Sequence, residues 1–231
     1  MLFVQVSVWK ALYGVNDNFN ASLSEVLTYT FLSSVLLLRL RLYPGQQIGK
    51  SVYTGTLGTD MLKPVSLMLL HTGNEAGRMA FSLVTYSLPV LFLAHLLYGI
   101  LPPASPGALC AFLVTCLLGM VIFVLFNAIV GYSAFWLLNN WFMPWFERAL
   151  IMLLGGTTVP IWFYPDGLEA VSRYLPFKYI GFVPISFYLN RIPPSQAGGQ
   201  ILVQLFWIGL LLAIERLVWR QAQKKITVQG G

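Results

Sequence analysis

Charge is what this sequence lacks. Only 10% of its 231 residues are Asp, Glu, Lys or Arg, against roughly 25% in soluble globular domains. From residue 79 to residue 146 there are none, a run of 68 residues. One helix needs about 20 residues to cross a bilayer, so this run alone holds at least two crossings. With 57% hydrophobic residues and a mean hydropathy of +0.72, the composition predicts an all-α integral membrane protein with no room for a soluble catalytic domain. Cysteine and histidine are nearly absent. Cys110 and Cys116 lie six residues apart on different faces of one apolar run, which excludes a mutual disulfide and reads as two small hydrophobes. His71 and His95 sit on separate elements, too few and too far apart for a metal site. No glycine-rich phosphate loop ending in Lys-Ser/Thr is present, so the chain binds no ATP by that route. No span holds paired carboxylates, which argues against intramembrane proteolysis and proton relays. No basic tract carries interleaved aromatics, which excludes nucleic acid. Neither a catalytic centre nor a cofactor is expected within the chain.

Hydropathy predicts about six transmembrane helices in one permease-like domain covering residues 1–231: 1–13, 23–42, 79–100, 107–138, 145–163 and 199–219. The first gives only about 20 Å of helix at 1.5 Å per residue, against a core of about 30 Å. It has no charged leader and no small-residue cleavage site, so it reads as a first span truncated at its start, with native chain expected upstream. Orientation follows from the basic residues. With both termini cytoplasmic, Arg39, Arg41, Lys50, Lys63, Arg78, Arg148, Arg216, Arg220, Lys224 and Lys225 fall inside, ten of the fourteen Lys and Arg, as the positive-inside bias requires. Lys10, Arg173, Lys178 and Arg191 fall outside. Trp136, Trp141, Trp145 and Trp162 cluster near span ends, as an interfacial aromatic belt does.

Two segments between spans carry the most information. The cytoplasmic loop 43–78 contains GTLGTDMLKPVS, from Gly55 to Ser66. Glycines and Pro64 bracket a turn bearing Leu57, Met61 and Leu62, followed by a short amphipathic piece at 65–70. This reads either as a plain connecting loop or as a docking surface, with exposed apolar anchors beside Asp60 and Lys63. The stretch 155–184, GGTTVPIWFYPDGLEAVSRYLPFKYIGFVP, is broken by Pro160, Pro165, Pro176 and Pro184. Its charged residues Asp166, Glu169, Arg173 and Lys178 are spaced for short helices, with the acids favouring a helix start after Pro165. Irregular backbone at a span end is tolerated where protein or a wet cavity shelters it. The stretch therefore reads either as a capped external loop or as a re-entrant element before the last span.

Isolated polar residues inside spans have plainer readings. His95 has no carboxylate in its helical neighbourhood and reads as a neutral packing residue, with Pro89 six residues earlier kinking the helix. Glu215 and Arg216 read as snorkelling or locally paired near the end of the sixth span. Glu147 and Arg148 read as interfacial punctuation at the start of the fifth.

The order of these features resembles the type-2 permease family of ATP-binding-cassette exporters, in particular the small six-span bacterial permeases of the daunorubicin-type group. GTLGTDMLKPVS looks like that family's G-x-L-x-x-x-L-x-R-P-V-S segment before the third span. The 155–184 stretch looks like its Gly-Gly, Pro, Phe-Pro, Leu-Pro-Phe, Pro succession after the fifth. The resemblance implies a non-catalytic membrane subunit that pairs with a cytoplasmic ATP-binding subunit and a second permease copy or related chain. ATP and Mg would be bound by the partner ATPase. Carried over by position, the coupling residues are Gly55, Leu57, Asp60, Leu62, Lys63 and Pro64. The outer-gate residues are Gly155, Gly156, Pro160, Pro165, Pro176, Phe177 and Pro184. Gly58 stands where the family carries an acidic residue, and Lys63 replaces its Arg, a change that loses a bidentate fork. The family's amphipathic first helix is missing.

The function expected is half of an export pathway in the bacterial inner membrane, in contact with membrane lipid. An autonomous channel or secondary carrier is the alternative, although ion-coupled carriers need buried carboxylates that the spans lack. A membrane scaffold with no pathway is the third reading. An aromatic and aliphatic lining would suit an amphipathic or lipid-like cargo, but it is equally what any helix bundle shows, so the sequence does not name the substrate.

Overall fold

The computed structural model describes residues 2–15, 19–39, 44–137 and 142–225, and every described regular element is helical. Arg41, Trp141 and the expected span ends at Leu42 and Leu138 lie outside the described residues. The helices are α1 (Leu2–Val15), α2 (Leu23–Arg39), α3 (Pro44–Tyr53), α4 (Leu57–Met61), α5 (Leu67–Ser82), α6 (Leu88–Tyr98), α7 (Pro106–Tyr132), α8 (Met143–Leu154), α9 (Asp166–Tyr174), α10 (Phe182–Tyr188) and α11 (Ala197–Gln223).

α7 is the axis. Ser105 caps it by accepting from the Ala108 amide at 3.1 Å, and Pro106 fills a first-turn position whose N–H would be unpaired. Its 27 residues give about 40 Å of helix, more than a bilayer core. Ala108, Ala111, Thr115, Gly119, Ile122 and Phe123 form its buried stripe, at the spacing of one helical face. α3, α8, α10 and α11 pack against it. Leu109, Leu113, Leu117 and Val121 on its other side are exposed. In water such a face would be a liability; in a bilayer it meets its natural solvent. Pro106–Phe135 and Pro194–Gln223 are long and apolar enough to cross a membrane unaided, while Leu23–Leu36 and Val84–Tyr98 are shorter apolar helices.

Two expectations need correction. The fifth apolar run, read as one span over 145–163, is helical only from Met143 to Leu154. Gly155 ends it, Gly156 takes a left-handed φ of 66°, and the chain turns before a short 3-10 turn at Ile161–Phe163. A glycine pair and Pro160 cannot extend a helix that still needs the amide at 160. The piece at 65–70, expected as a separate amphipathic segment, is absorbed into α5, which begins at Leu67. α5 then runs through a π turn at Leu83–Ser87 into α6. Pro89 explains that turn: its ring would clash with the carbonyl four residues back, at Thr85, and widening the coil there removes the clash.

Helices in lipid gain little from the hydrophobic effect against each other, so small residues and polar contacts decide which faces meet. Here Gly119 abuts the Tyr179 carbonyl and Gly131 abuts Gly45, with no room for a β-carbon at either.

Candidate functional site

The site is built on α3, α7 and α8. Pro44 starts α3, and Gly45 lies so close to α7 that a side chain would strike the Asn127 carbonyl. That approach lets the Gly45 amide donate to Asn127 Oδ1 at 2.7 Å. The other end of the same amide, Asn127 Nδ2, donates to both carboxylate oxygens of Glu147, at 2.9 and 2.7 Å. Asn127 is 2% and Glu147 1% exposed. One side chain on α7 thus joins the first turn of α3 to the first turns of α8. Glu147 is therefore not interfacial punctuation. A cavity of about 470 Å³ opens beside this bridge, lined among others by Gln46, Lys50, Tyr53, Pro144 and Glu147.

α3 leads directly to the residues expected to couple. Gly55, with φ 73°, turns the chain out of α3, the αL role that glycine fills at helix ends. Leu57 opens α4 and is buried with Ile48, Leu67, Ala128 and Tyr132. It was expected to be an exposed anchor; it instead pins the turn to α7. Leu62 is 85% exposed, and Lys63 and Pro64 are exposed beside it. Lys63 Nζ reaches Asp60 Oδ1 at 2.8 Å, and His71 Nε2 from α5 lies 3.7 Å from Asp60 Oδ2.

α8 leads, in the other direction, to the residues expected to form the outer gate. Gly155, Gly156, Pro160, Pro176, Phe177 and Pro184 are buried, while Pro165 is exposed at the start of α9. The Gly156 carbonyl accepts from the Tyr29 hydroxyl at 2.5 Å. Trp162 sits edge-on to the Tyr29 ring at 5.1 Å, and Phe177 packs edge-on to Phe126 at 5.1 Å. Arg191 covers the Trp162 ring at 5.0 Å while donating to the Asn20 carbonyl at 2.7 Å and to Glu25 at 3.0 Å. Short helices do follow Pro165 and Pro176, and Arg173 pairs with Glu169 at 2.6 Å. Burial, then the neighbouring Arg173 charge, holds the Lys178 ammonium below its usual range.

Two further polar contacts join the apolar helices. Tyr132 donates to Glu215 at 2.7 Å, and Gln204 donates to the Thr115 carbonyl at 2.9 Å, both joining α11 to α7. Glu215 is 8% exposed and neither snorkels nor pairs locally. His95 Nδ1 meets the Ile100 carbonyl at 2.9 Å, consistent with a packing role. Sequence reasoning missed Gly45, Asn127, Tyr29 and Tyr132. The one available hint was Asn127 itself, a lone amide deep inside a charge-free apolar helix.

Helices of this length and apolarity, joined across buried faces by polar contacts, define a membrane protein. Over residues 1–230 the sequence matches the family model described as ABC-2 family transporter protein, and the chain belongs to that family. No curated protein and no solved structure matches it.

Proposed function

We propose that the chain is the transmembrane permease subunit of an ATP-driven exporter. It pairs with a second permease copy or related chain and with a separate cytoplasmic ATPase that binds ATP and Mg. The observation that carries this reading is the family match over residues 1–230. In this reading the 43–78 segment faces the cytoplasm, the exposed Leu62–Pro64 edge contacts the ATPase, and 155–184 forms the outer gate.

The hydrogen-bonded chain supports a route for the motion. A shift of α3 is felt at the Gly45 amide, passes through Asn127 to Glu147, and enters α8 at its start. α8 has 12 residues, about 18 Å of rigid helix, and its far end is Gly155. The lever thus has the coupling turn at one end and the gate glycines at the other. Nucleotide drives transport only by favouring one arrangement of these elements over another.

Co-purification tests the reading. The chain, expressed with its cognate cytoplasmic ATPase, is expected to bring that ATPase down and to support ATP-dependent export from proteoliposomes. Gradient-driven flux through the chain alone, with no ATPase requirement, would establish the channel or carrier alternative instead.

A further inference from the structure

The cavity beside the Asn127–Glu147 contact shares Gly45, Asn127 and Glu147 with the lever just described, and its size and polar lining suit a ligand. Its volume of about 470 Å³ falls within the range of roughly 300–1,000 Å³ typical of small-ligand sites. Glu147, 1% exposed, forms part of its wall. A carboxylate offers about four acceptor positions, and the Asn127 amide, with two N–H bonds, reaches Glu147 at 2.9 and 2.7 Å. Among the described residues no cation lies within ion-pair distance of it. A buried carboxylate in that state gains from a cationic partner that also donates hydrogen bonds.

The lining also carries Lys50, which is exposed. A simple amine entering the cavity would be drawn to Glu147 but repelled by Lys50; an inorganic phosphate would meet the reverse. A ligand carrying both a cation and an anion satisfies both groups. The position narrows the class further. α3 follows the second apolar helix and α8 follows the fourth, so, on the topology of the proposed function, the cavity lies at the headgroup level of the cytoplasmic leaflet. This inference rests on that reading for its leaflet.

We propose that the cavity binds the headgroup of a zwitterionic aminophospholipid, with its primary ammonium on Glu147 and its phosphate on Lys50. Two of the three N–H donors of a primary ammonium can fill the acceptor positions that Asn127 leaves, and a quaternary choline has no N–H to offer.

The test is lipid retention by the purified full-length chain, read by native mass spectrometry, with phosphatidylethanolamine, phosphatidylcholine and phosphatidylglycerol of matched acyl chains. Phosphatidylethanolamine is expected to be held about tenfold over the other two, the factor for one charge-assisted hydrogen bond. Glu147→Gln should erase that preference, while Lys50→Ala should lower retention of all three lipids, whose phosphate it contacts alike. Lys50 is exposed, so its variant keeps the fold and the test stands even where Glu147→Gln is unstable. Equal retention of ethanolamine and choline lipids, or retention untouched by Lys50→Ala, overturns the proposal. So does free phosphoethanolamine occupying the site when the lipid does not, which would mark a soluble ligand. Retention is measured on the chain alone, so a failure to co-purify with an ATPase would sink the exporter reading without changing this result.

Discussion

Tyr29 on α2 donates its hydroxyl proton to the carbonyl of Gly156 at 2.5 Å, across 127 residues of chain. The bond occupies a carbonyl that the helix before it cannot use, because α8 has already ended at Leu154. Trp162 and Phe182 close around the Tyr29 ring at 5.1 and 6.4 Å. One tyrosine therefore fastens the second apolar helix to the glycine pair that starts the gate stretch.

Tyr29→Phe removes this donor and keeps the ring packing. A buried carbonyl left without a partner costs about 1–3 kcal/mol, and a chain of this size loses roughly 2–4 °C of Tm per kcal/mol. Thermal unfolding in detergent should show a drop of several degrees. Cysteines placed at 157 and 158 should react faster with a thiol reagent in the variant. An unchanged Tm with unchanged labelling would show that the bond holds nothing in place.

The Asn127–Glu147 pair predicts non-additivity between single and double variants. Asn127→Leu strips the donor from a carboxyl group that is 1% exposed and should cost about 1–3 kcal/mol, the penalty of a buried polar group left unsatisfied. Adding Glu147→Leu removes the stranded carboxyl group, so the double variant should recover most of that loss. Residues in contact routinely couple by about 0.5–3 kcal/mol. Denaturation of the three variants measures the coupling, and simple additivity would refute the pairing. On the proposed function, the double variant should fold and leave ATP hydrolysis by the partner intact, yet support export poorly, because α3 and α8 are no longer joined.

The sequence showed where helices start and stop more clearly than what they touch. Pro165 is local punctuation, and the structure starts a helix directly after it, whereas Gly155-Gly156, which hydropathy places inside a span, ends one. The charge-free run from 79 to 146 is equally local, and α7 lies within it. Leu57, Glu147 and Glu215 were misread because their surroundings are set by distant chain. The partner of Glu147 is 20 residues away and that of Glu215 is 83 away, while Leu57 is buried by side chains from α3, α5 and α7. A hydropathy window sees a Glu near a helix end and assigns it to the interface. Gly45 was invisible for the same reason, since only the approach of α7 gives its missing side chain a purpose.

That approach makes the glycines unequal. Gly131→Ala would drive a methyl group into the backbone of Gly45, whereas Gly58 and Gly73 have open space where a side chain would go. Overpacking a tight contact costs about 1–3 kcal/mol or more, and backbone on both sides leaves nothing flexible to yield. Gly131→Ala should lower Tm by several degrees and loosen the Gly45–Asn127 hydrogen bond. Gly58→Ala should leave Tm within about a degree, as exposed substitutions away from special features do. Equal effects from the two would mean that α3 does not pack on α7 as described.

Leucines 57 and 62 separate folding from docking. Leu57 is 8% exposed within the cluster that holds the coupling turn to α7, and Leu62 is 85% exposed on the same turn. A carboxylate at 57 must be buried unpaired, so Leu57→Asp should lower stability by several kcal/mol, on the order of other unpaired buried charges, and should lose the ATPase only because the turn has come apart. Leu62→Asp disturbs no packing within the chain and should melt like the parent. If Leu62 is an apolar anchor inserted into the ATPase, burying its replacement carboxylate should weaken the complex by about 2 kcal/mol or more, as at interface hot spots. The complex would then dissociate on affinity purification while the permease alone stays folded. Retention of the ATPase by a stable Leu62→Asp chain would move the docking surface off this turn, whatever the fate of Leu57→Asp.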